Sequence, residues 1–275
     1  KNISKETSST IGKQKQTNYA LKEMSRDDFV SVVTEGLKAP PAYFPFDAVK
    51  NKSGYPSLSE ILKKSLIPLS PKEFSSKMNQ GYFVLDTRKA EIFAKGFIKG
   101  AINIGLDGQY AVWVGALVPT DATILLVTEP GKEEESVVRL ARIGFDSVVG
   151  YLEGGINAWI SEKFIFDKIS EISAEEFSKK YKDPSMHVLD VRNQGEQSSG
   201  VLKGATPICL SKLPGELSNL LPNNTYYVHC AGGYRSMMAC SLLKKNDFSH
   251  VFNVCGGMQS LKKFQLPMEV PISVH

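Results

Sequence analysis

The chain has 275 residues, 42% of them hydrophobic, and a formal net charge of +4. That length suits two domains and part of a third; the small, interspersed charge gives no basis for a nucleic-acid partner; and no apolar run reaches the ~18 residues of a membrane span. Cys209, Cys230, Cys240 and Cys255 are its four cysteines. Clustered in one stretch, they read as free thiols of a reducing cytoplasm and not as a disulfide scaffold. His187, His229, His250 and His275 form no His-x-His-x-Asp-His cluster, and no Cys-x-x-Cys occurs. The chain is therefore expected to hold no metal.

Residues 1–57 open with a polar stretch and a helical pattern near Arg26–Leu37. Pro-rich, aromatic chain follows: Pro40-Pro41-Ala42-Tyr43-Phe44-Pro45-Phe46. Ser8-Ser9-Thr10-Ile11-Gly12 and Asn18-Tyr19-Ala20-Leu21, with that stretch after them, resemble the tail of the metallo-β-lactamase fold, in its glyoxalase-II and persulfide-dioxygenase branch. The resemblance implies that residues 1–57 are the C-terminal tail of a domain whose metal-bearing body is missing from this sequence. Iron or zinc would belong to that body, which becomes an expected partner.

The remainder is a repeat. Ser70-Pro71-Lys72-Glu73-Phe74 returns as Ser173-Ala174-Glu175-Glu176-Phe177, two capping boxes that each open a short helix. Val84-Leu85-Asp86-Thr87-Arg88 returns as Val188-Leu189-Asp190-Val191-Arg192, Ile98-Lys99-Gly100-Ala101 as Leu202-Lys203-Gly204-Ala205, and Gly154-Gly155 as Gly256-Gly257. A period of domain size implies two copies of one domain, 58–166 and 167–275. In the first copy, the apolar runs Tyr82–Leu85, Ile124–Val127 and Val148–Tyr151 alternate with helical patterns over 71–79 and 134–143. That order predicts an α/β fold with a mainly parallel sheet flanked by helices.

In the second copy the run Tyr226-Tyr227-Val228 leads into Cys230-Ala231-Gly232-Gly233-Tyr234-Arg235-Ser236 and then a helical pattern. A strand thus delivers a thiol to a Gly-containing loop at a helix N-terminus. Inward backbone N–H groups, the helix end and Arg235 all favour thiolate, the nucleophilic form. His229 precedes the thiol on the strand and should face the other way.

This loop resembles the active-site loop of rhodanese-type sulfurtransferases: Cys230, four intervening residues, and Arg235, with Gly233 fourth. The repeated Leu-Asp-x-Arg and Gly-Ala also resemble that family. The resemblance implies catalysis by Cys230 and Arg235, with Ala231, Gly232, Gly233, Tyr234 and Ser236 forming the substrate-binding loop. Cys230 would carry a persulfide, taking sulfane sulfur from thiosulfate or a persulfide and passing it to sulfite, a thiol or cyanide. The partners expected are thus a small-molecule sulfur donor and acceptor.

Aligning Leu125-Leu126-Val127 with Tyr226-Tyr227-Val228 puts Glu129 where Cys230 stands. The first copy then has no thiol and reads as inactive, its acidic loop either a docking surface or a packing relic. Asp190 and Arg192 recur as Asp86 and Arg88 where chemistry is absent, so they read as structural support. Cys209 and Cys240 read as structural, and Cys255, at a strand end, as structural or as a resolving thiol for Cys230. Two other readings stay open. One is a Cys phosphatase or arsenate reductase on the same fold, disfavoured by a loop one residue short of the phosphatase spacing. The other is a pair of non-catalytic binding domains attached to a metallo-β-lactamase-fold hydrolase.

Overall fold

A computed structural model describes residues 7–34, 44–183 and 185–270. The chain divides into two compact units, Lys1–Pro40 and Pro41–His275. The first holds helices Ile11–Thr17 and Arg26–Thr34 with a 3-10 turn, Tyr19–Leu21, between them, and none of these elements buries a residue. The Thr10 hydroxyl caps the first helix, accepting from the Lys13 N–H at 3.2 Å. The predicted helix near Arg26–Leu37 runs to Thr34, and its last predicted turn lies outside the described residues, as do Pro40 to Tyr43.

In the second unit Phe44, Pro45 and Phe46 form the first turn of a helix, Phe44–Ser53. Pro is tolerated there because first-turn N–H groups have no partner in the helix anyway. Lys50 anchors this helix to the first repeat, pairing with Asp146 at 2.7 Å.

The first repeat carries β1 (Pro68–Leu69), β2 (Phe83–Asp86), β3 (Ile102–Asn103), β4 (Ile124–Val127) and β5 (Val148–Leu152) in the order β1-β5-β4-β2-β3. The second carries β6 (Ser170–Ile172), β7 (His187–Asp190), β8 (Thr206–Pro207), β9 (Thr225–His229) and β10 (His250–Val254) in the order β6-β10-β9-β7-β8. The order is the same, and every pairing in both sheets is parallel. Each copy also has an antiparallel pair away from its sheet, Phe97–Ile98 with Phe166–Asp167 and Val201–Leu202 with Met268–Glu269. Both predicted capping boxes form, Ser70 with Glu73 and Ser173 with Glu176.

The two copies share one core. It runs from Ile61, Phe74 and Leu125 in the first to Val228, Met237 and Leu243 in the second. A smaller cluster, including Phe177, Val188 and Val254, fills the other face of the second sheet. Helix Tyr234–Lys245 explains the sharing. It is buried on all sides over Ser236–Leu243, as a helix apolar around its whole circumference requires. Its Ser241 hydroxyl accepts from the Asn103 N–H on β3 at 3.0 Å. The helix is thus packed against both copies, and it begins at the cysteine loop.

Candidate active site

The central strand β9 ends at His229, and Cys230 follows at its carboxyl end, where sites of parallel sheets form. The loop backbone is fixed by the next helix, Gly257–Leu261: Met258 N–H donates to the Cys230 carbonyl at 2.8 Å and Gln259 N–H to the Ala231 carbonyl at 3.0 Å. Gly257 has φ +50°, and a Cβ there would lie 2.4 Å from the Cys230 carbonyl oxygen. Only glycine lets that helix close on the loop.

Cys230 is 1% exposed. Its sulfur accepts from the Gly233 N–H at 3.1 Å and lies 3.6 Å from the Ser236 hydroxyl. Ser236 is fully buried and lies 2.7 Å from Asn253 Oδ1 on β10, and Asn253 donates to Glu171 Oε1 at 3.2 Å. Asn253 and Glu171 were not predicted from sequence. The Gly233 N–H thus donates to the sulfur, while the Ser236 hydroxyl accepts from the thiol and gives its own proton to the Gly233 carbonyl or Asn253 Oδ1; Tyr234 begins the helix whose positive end faces the loop.

Arg235 lies on the same loop but is not free. Its guanidinium forks onto Glu196, with bonds of 2.6 and 2.9 Å. Glu196 holds the Arg235 pKa above its ordinary value, and Arg235 in turn holds the Glu196 carboxyl below the usual range. Glu196 also caps its own helix, accepting from the Asn193 N–H at 3.0 Å. Sequence reasoning missed this residue, although the repeat carried a signal. Position 196 corresponds to Ile92, and the first-copy loop has no Arg, so both partners are absent together.

Tyr234 leaves the site. Its hydroxyl donates to the Gly105 carbonyl in the first copy at 2.7 Å, and its ring lies against Gly108, where a Cβ would come within 2.4 Å of ring atoms. Tyr234, expected in the substrate-binding loop, thus spends its side chain on a contact with the first copy. Gly108→Ala should displace the ring and lower stability by about 1–3 kcal/mol. Thermal unfolding checks this, and an unchanged transition would mean that the contact carries no load. Gly232 is exposed at the loop tip, 3.5 Å from the Gln259 side chain if given a Cβ.

Asp190 and Arg192 form a buried pair. Arg192 Nη2 donates to Asp190 Oδ2 at 2.6 Å and to the Gly200 carbonyl at 2.7 Å. The first copy repeats both contacts, Arg88 Nη2 bonding Asp86 Oδ2 and, at 2.9 Å, the Gly96 carbonyl. His229 faces away from the thiol toward Asp190, its Nε2 unpartnered and 3.9 Å from Oδ2. Burial pushes its pKa down, which keeps it neutral.

The other thiols are held differently. Cys255 points to Glu171 Oε1 at 3.7 Å, Cys209 to Gln197 Oε1 at 3.5 Å, and Cys240 is fully buried. Burial pushes all three above the ordinary thiol value. Cys255 thus has a carboxylate partner, which opposes its ionisation. No three His, Cys, Asp or Glu side chains among the described residues group as metal ligands.

Strand register corrects one expectation. Asp86 pairs with Val127 and Asp190 with His229, so Thr128, and not Glu129, occupies the place of Cys230. The neighbouring bonds agree: Thr87 N–H donates to the Val127 carbonyl and Val191 N–H to the His229 carbonyl. Glu129 instead accepts from the Lys89 N–H at 3.2 Å. The first copy still has no thiol there.

The fold and the loop define a tandem of α/β domains, one bearing a cysteine at a helix N-terminus and one lacking it. The rhodanese-like domain model matches residues 70–162 and 173–264, and the chain belongs to that family. A sulfurtransferase of Allochromatium vinosum is 25% identical over 104 residues, 38% of this chain and 97% of that protein. YrkF of Bacillus subtilis is 37% identical over 92 residues, which span 33% of this chain and half of YrkF. Among solved structures, a rhodanese-related protein of Thermoplasma volcanium shares 28% identity with a TM-score of 0.34, covering 37% of this chain and 99% of its own.

Proposed function

We propose that the chain is a sulfurtransferase that moves sulfane sulfur through a persulfide on Cys230. The observation that carries the reading is the sulfur that accepts from the Gly233 N–H at the start of a helix. That N–H and the helix end favour an anion on sulfur, and a terminal persulfide sulfur is such an anion. The Cys230 thiolate attacks the outer sulfur of thiosulfate; the sulfur–sulfur bond breaks, and sulfite leaves with its electron pair. With an organic persulfide, the thiol leaves instead. In the second half an acceptor such as cyanide, sulfite or a thiolate attacks the terminal sulfur and regenerates the Cys230 thiolate.

The first copy acts as scaffold in this reading. Residues 1–57 are taken as the tail of a persulfide-dioxygenase-like domain, whose sulfite product would then meet the Cys230 persulfide at raised local concentration. A cytoplasmic site of action is part of the same proposal. A phosphatase reading is less well supported, because the loop from Cys230 to Arg235 is one residue short of the phosphatase spacing.

Intact-mass measurement after incubation with thiosulfate or glutathione persulfide tests the proposal. The protein should gain one sulfur atom, lose it to cyanide, and gain none when Cys230 is Ser. A mass shift that persists in the Ser variant would move the chemistry elsewhere. Arg235→Ala should lower kcat/KM by about ten- to a hundredfold, with Arg235→Lys between it and wild type because charge survives but the fork does not. Unchanged steady-state kinetics in Arg235→Ala would take Arg235 out of the site.

A further inference from the structure

Resting on that reading, we propose that Cys255 is a second sulfur carrier: it takes the outer sulfur from the Cys230 persulfide and presents it to acceptors too large to reach the buried thiol. Strand register carries the argument. Val228 on β9 pairs with Asn253 on β10, and Cys230 and Cys255 each stand two residues past that pair. Neighbouring strands lie about 4.8 Å apart, so the two cysteines end adjacent strands side by side. The loop backbone spans the same gap. A Cβ on Gly233, whose N–H holds the Cys230 sulfur, would lie 3.9 Å from the Gly256 nitrogen.

Both thiols face the same side of the sheet, because residues two apart on a strand do so. Cys230 packs with Val228 in the larger core, and Asn253 reaches Ser236 on the helix that covers that side. A chain of side chains joins the two sulfurs. Cys230 contacts Ser236, Ser236 contacts Asn253, and Asn253 and Cys255 meet on one oxygen, Glu171 Oε1, at 3.2 and 3.7 Å.

The surroundings of the two thiols set their order. The Cys230 sulfur is buried and accepts an N–H at a helix start, whereas Cys255 is half-buried and faces an exposed carboxylate. Glu171 repels anionic donors and keeps Cys255 a thiol, so Cys255 does not load itself. A persulfide on Cys230 extends the side chain by about 2 Å, which shortens the gap. Glu171 takes the Cys255 proton as that sulfur attacks the protonated outer sulfur. The sulfur–sulfur bond to Cys230 breaks, the Cys230 thiolate leaves with the electron pair, and a Cys255 persulfide forms. Cys230 is the better leaving group, because the Gly233 N–H and the helix end stabilise its anion. No oxidant or reductant is consumed. Repulsion from Glu171 returns the sulfur to Cys230 at rest, so Cys255 holds it in transit.

Peptide mapping tests the relay. The protein is given one equivalent of thiosulfate, alkylated at once, digested and read by mass spectrometry. Most of the added sulfur should lie on Cys230 and a minority on Cys255. Glu171→Gln, whose amide oxygen still accepts from Asn253, should raise the Cys255 share about two- to fivefold, the worth of one partly exposed charge. Cys230→Ser should leave both peptides bare. Sulfur on Cys230 alone in every protein would overturn the relay and keep the sulfurtransferase reading; sulfur on neither in the wild type would overturn both. Sulfur on Cys255 in the Cys230→Ser protein would mean that Cys255 loads by itself, which also overturns the relay.

Cys255→Ser supplies a kinetic test. The kcat/KM for sulfur transfer to reduced thioredoxin, divided by that for cyanide, should fall about tenfold or more, because cyanide is small enough to reach Cys230 directly. A general loss of structure would lower both together, and an unmoved ratio would overturn the relay.

Discussion

Cys230→Ser is expected to bring sulfur transfer below about a thousandth of the wild-type rate with every donor and acceptor, as loss of a covalent nucleophile does elsewhere. A hydroxyl stays protonated at neutral pH and cannot hold sulfane sulfur in exchangeable form. The change is nearly isosteric, so the Gly233 N–H and the Ser236 hydroxyl keep a partner at the same place. No other thiol can substitute. Cys240 is sealed in the core, and Cys209 and Cys255 each point at a side-chain oxygen. Thiocyanate formation from cyanide, with thiosulfate and with glutathione persulfide, is the assay. A variant retaining a tenth or more of the activity would show that Cys230 is not the sulfur carrier.

Asp190→Ala should cost about 3–5 kcal/mol of stability, the usual penalty for leaving one member of a buried pair alone. Asp190 is completely buried, and its carboxylate receives the Arg192 Nε and Nη2 groups as well as the Arg192 backbone N–H. Removing it strands a guanidinium between β7 and the Gly200 turn. Asp86→Ala should cost a similar amount, because the first copy has the same contacts without the thiol. Denaturant unfolding monitored by far-UV circular dichroism measures both. An Asp190→Ala protein with an unshifted midpoint and no activity would assign Asp190 to the chemistry and not to the fold.

Most of the architecture was legible because the chain states it twice. The repeated Leu-Asp-x-Arg and Gly-Ala segments mark equivalent strands and turns, and the Ser-x-x-Glu boxes mark equivalent helix starts. The register of the cysteine-bearing strand was not legible. Ile124–Val127 is buried throughout and Thr225–His229 nearly so. A strand covered on both faces has no alternation to pin its alignment, so the correspondence slipped by one residue, from Thr128 to Glu129. Hydrogen bonds to the flanking strands resolve it.

The loop residues divided along the same line. Cys230, Gly233 and Ser236 could be read from spacing, since all three act within one turn of chain. Tyr234 and Arg235 could not, because their partners, Gly105 and Glu196, lie 129 and 39 residues away. Nothing local in the sequence distinguishes a loop tyrosine that lines a pocket from one that reaches into a neighbouring domain. The all-round burial of helix Tyr234–Lys245 has the same origin: one of its neighbours is β3, in the other copy.

That helix ties inheritance to architecture. By its chemistry alone, a copy without a thiol is dispensable to a site in its sister. Here the thiol-free copy supplies the ceiling for the helix that starts at the thiol, and its Gly105–Gly108 loop is the mould for Tyr234. Where the second copy has Cys230 and Glu196 it holds Thr128 and Ile92, while the face it turns toward its sister carries the close contacts. The two copies thus form a single packing unit, in which the thiol-free half gives shape to the half that bears the cysteine. Grafting the cysteine-bearing half alone onto another protein would transfer the residues of the site without the wall that holds them.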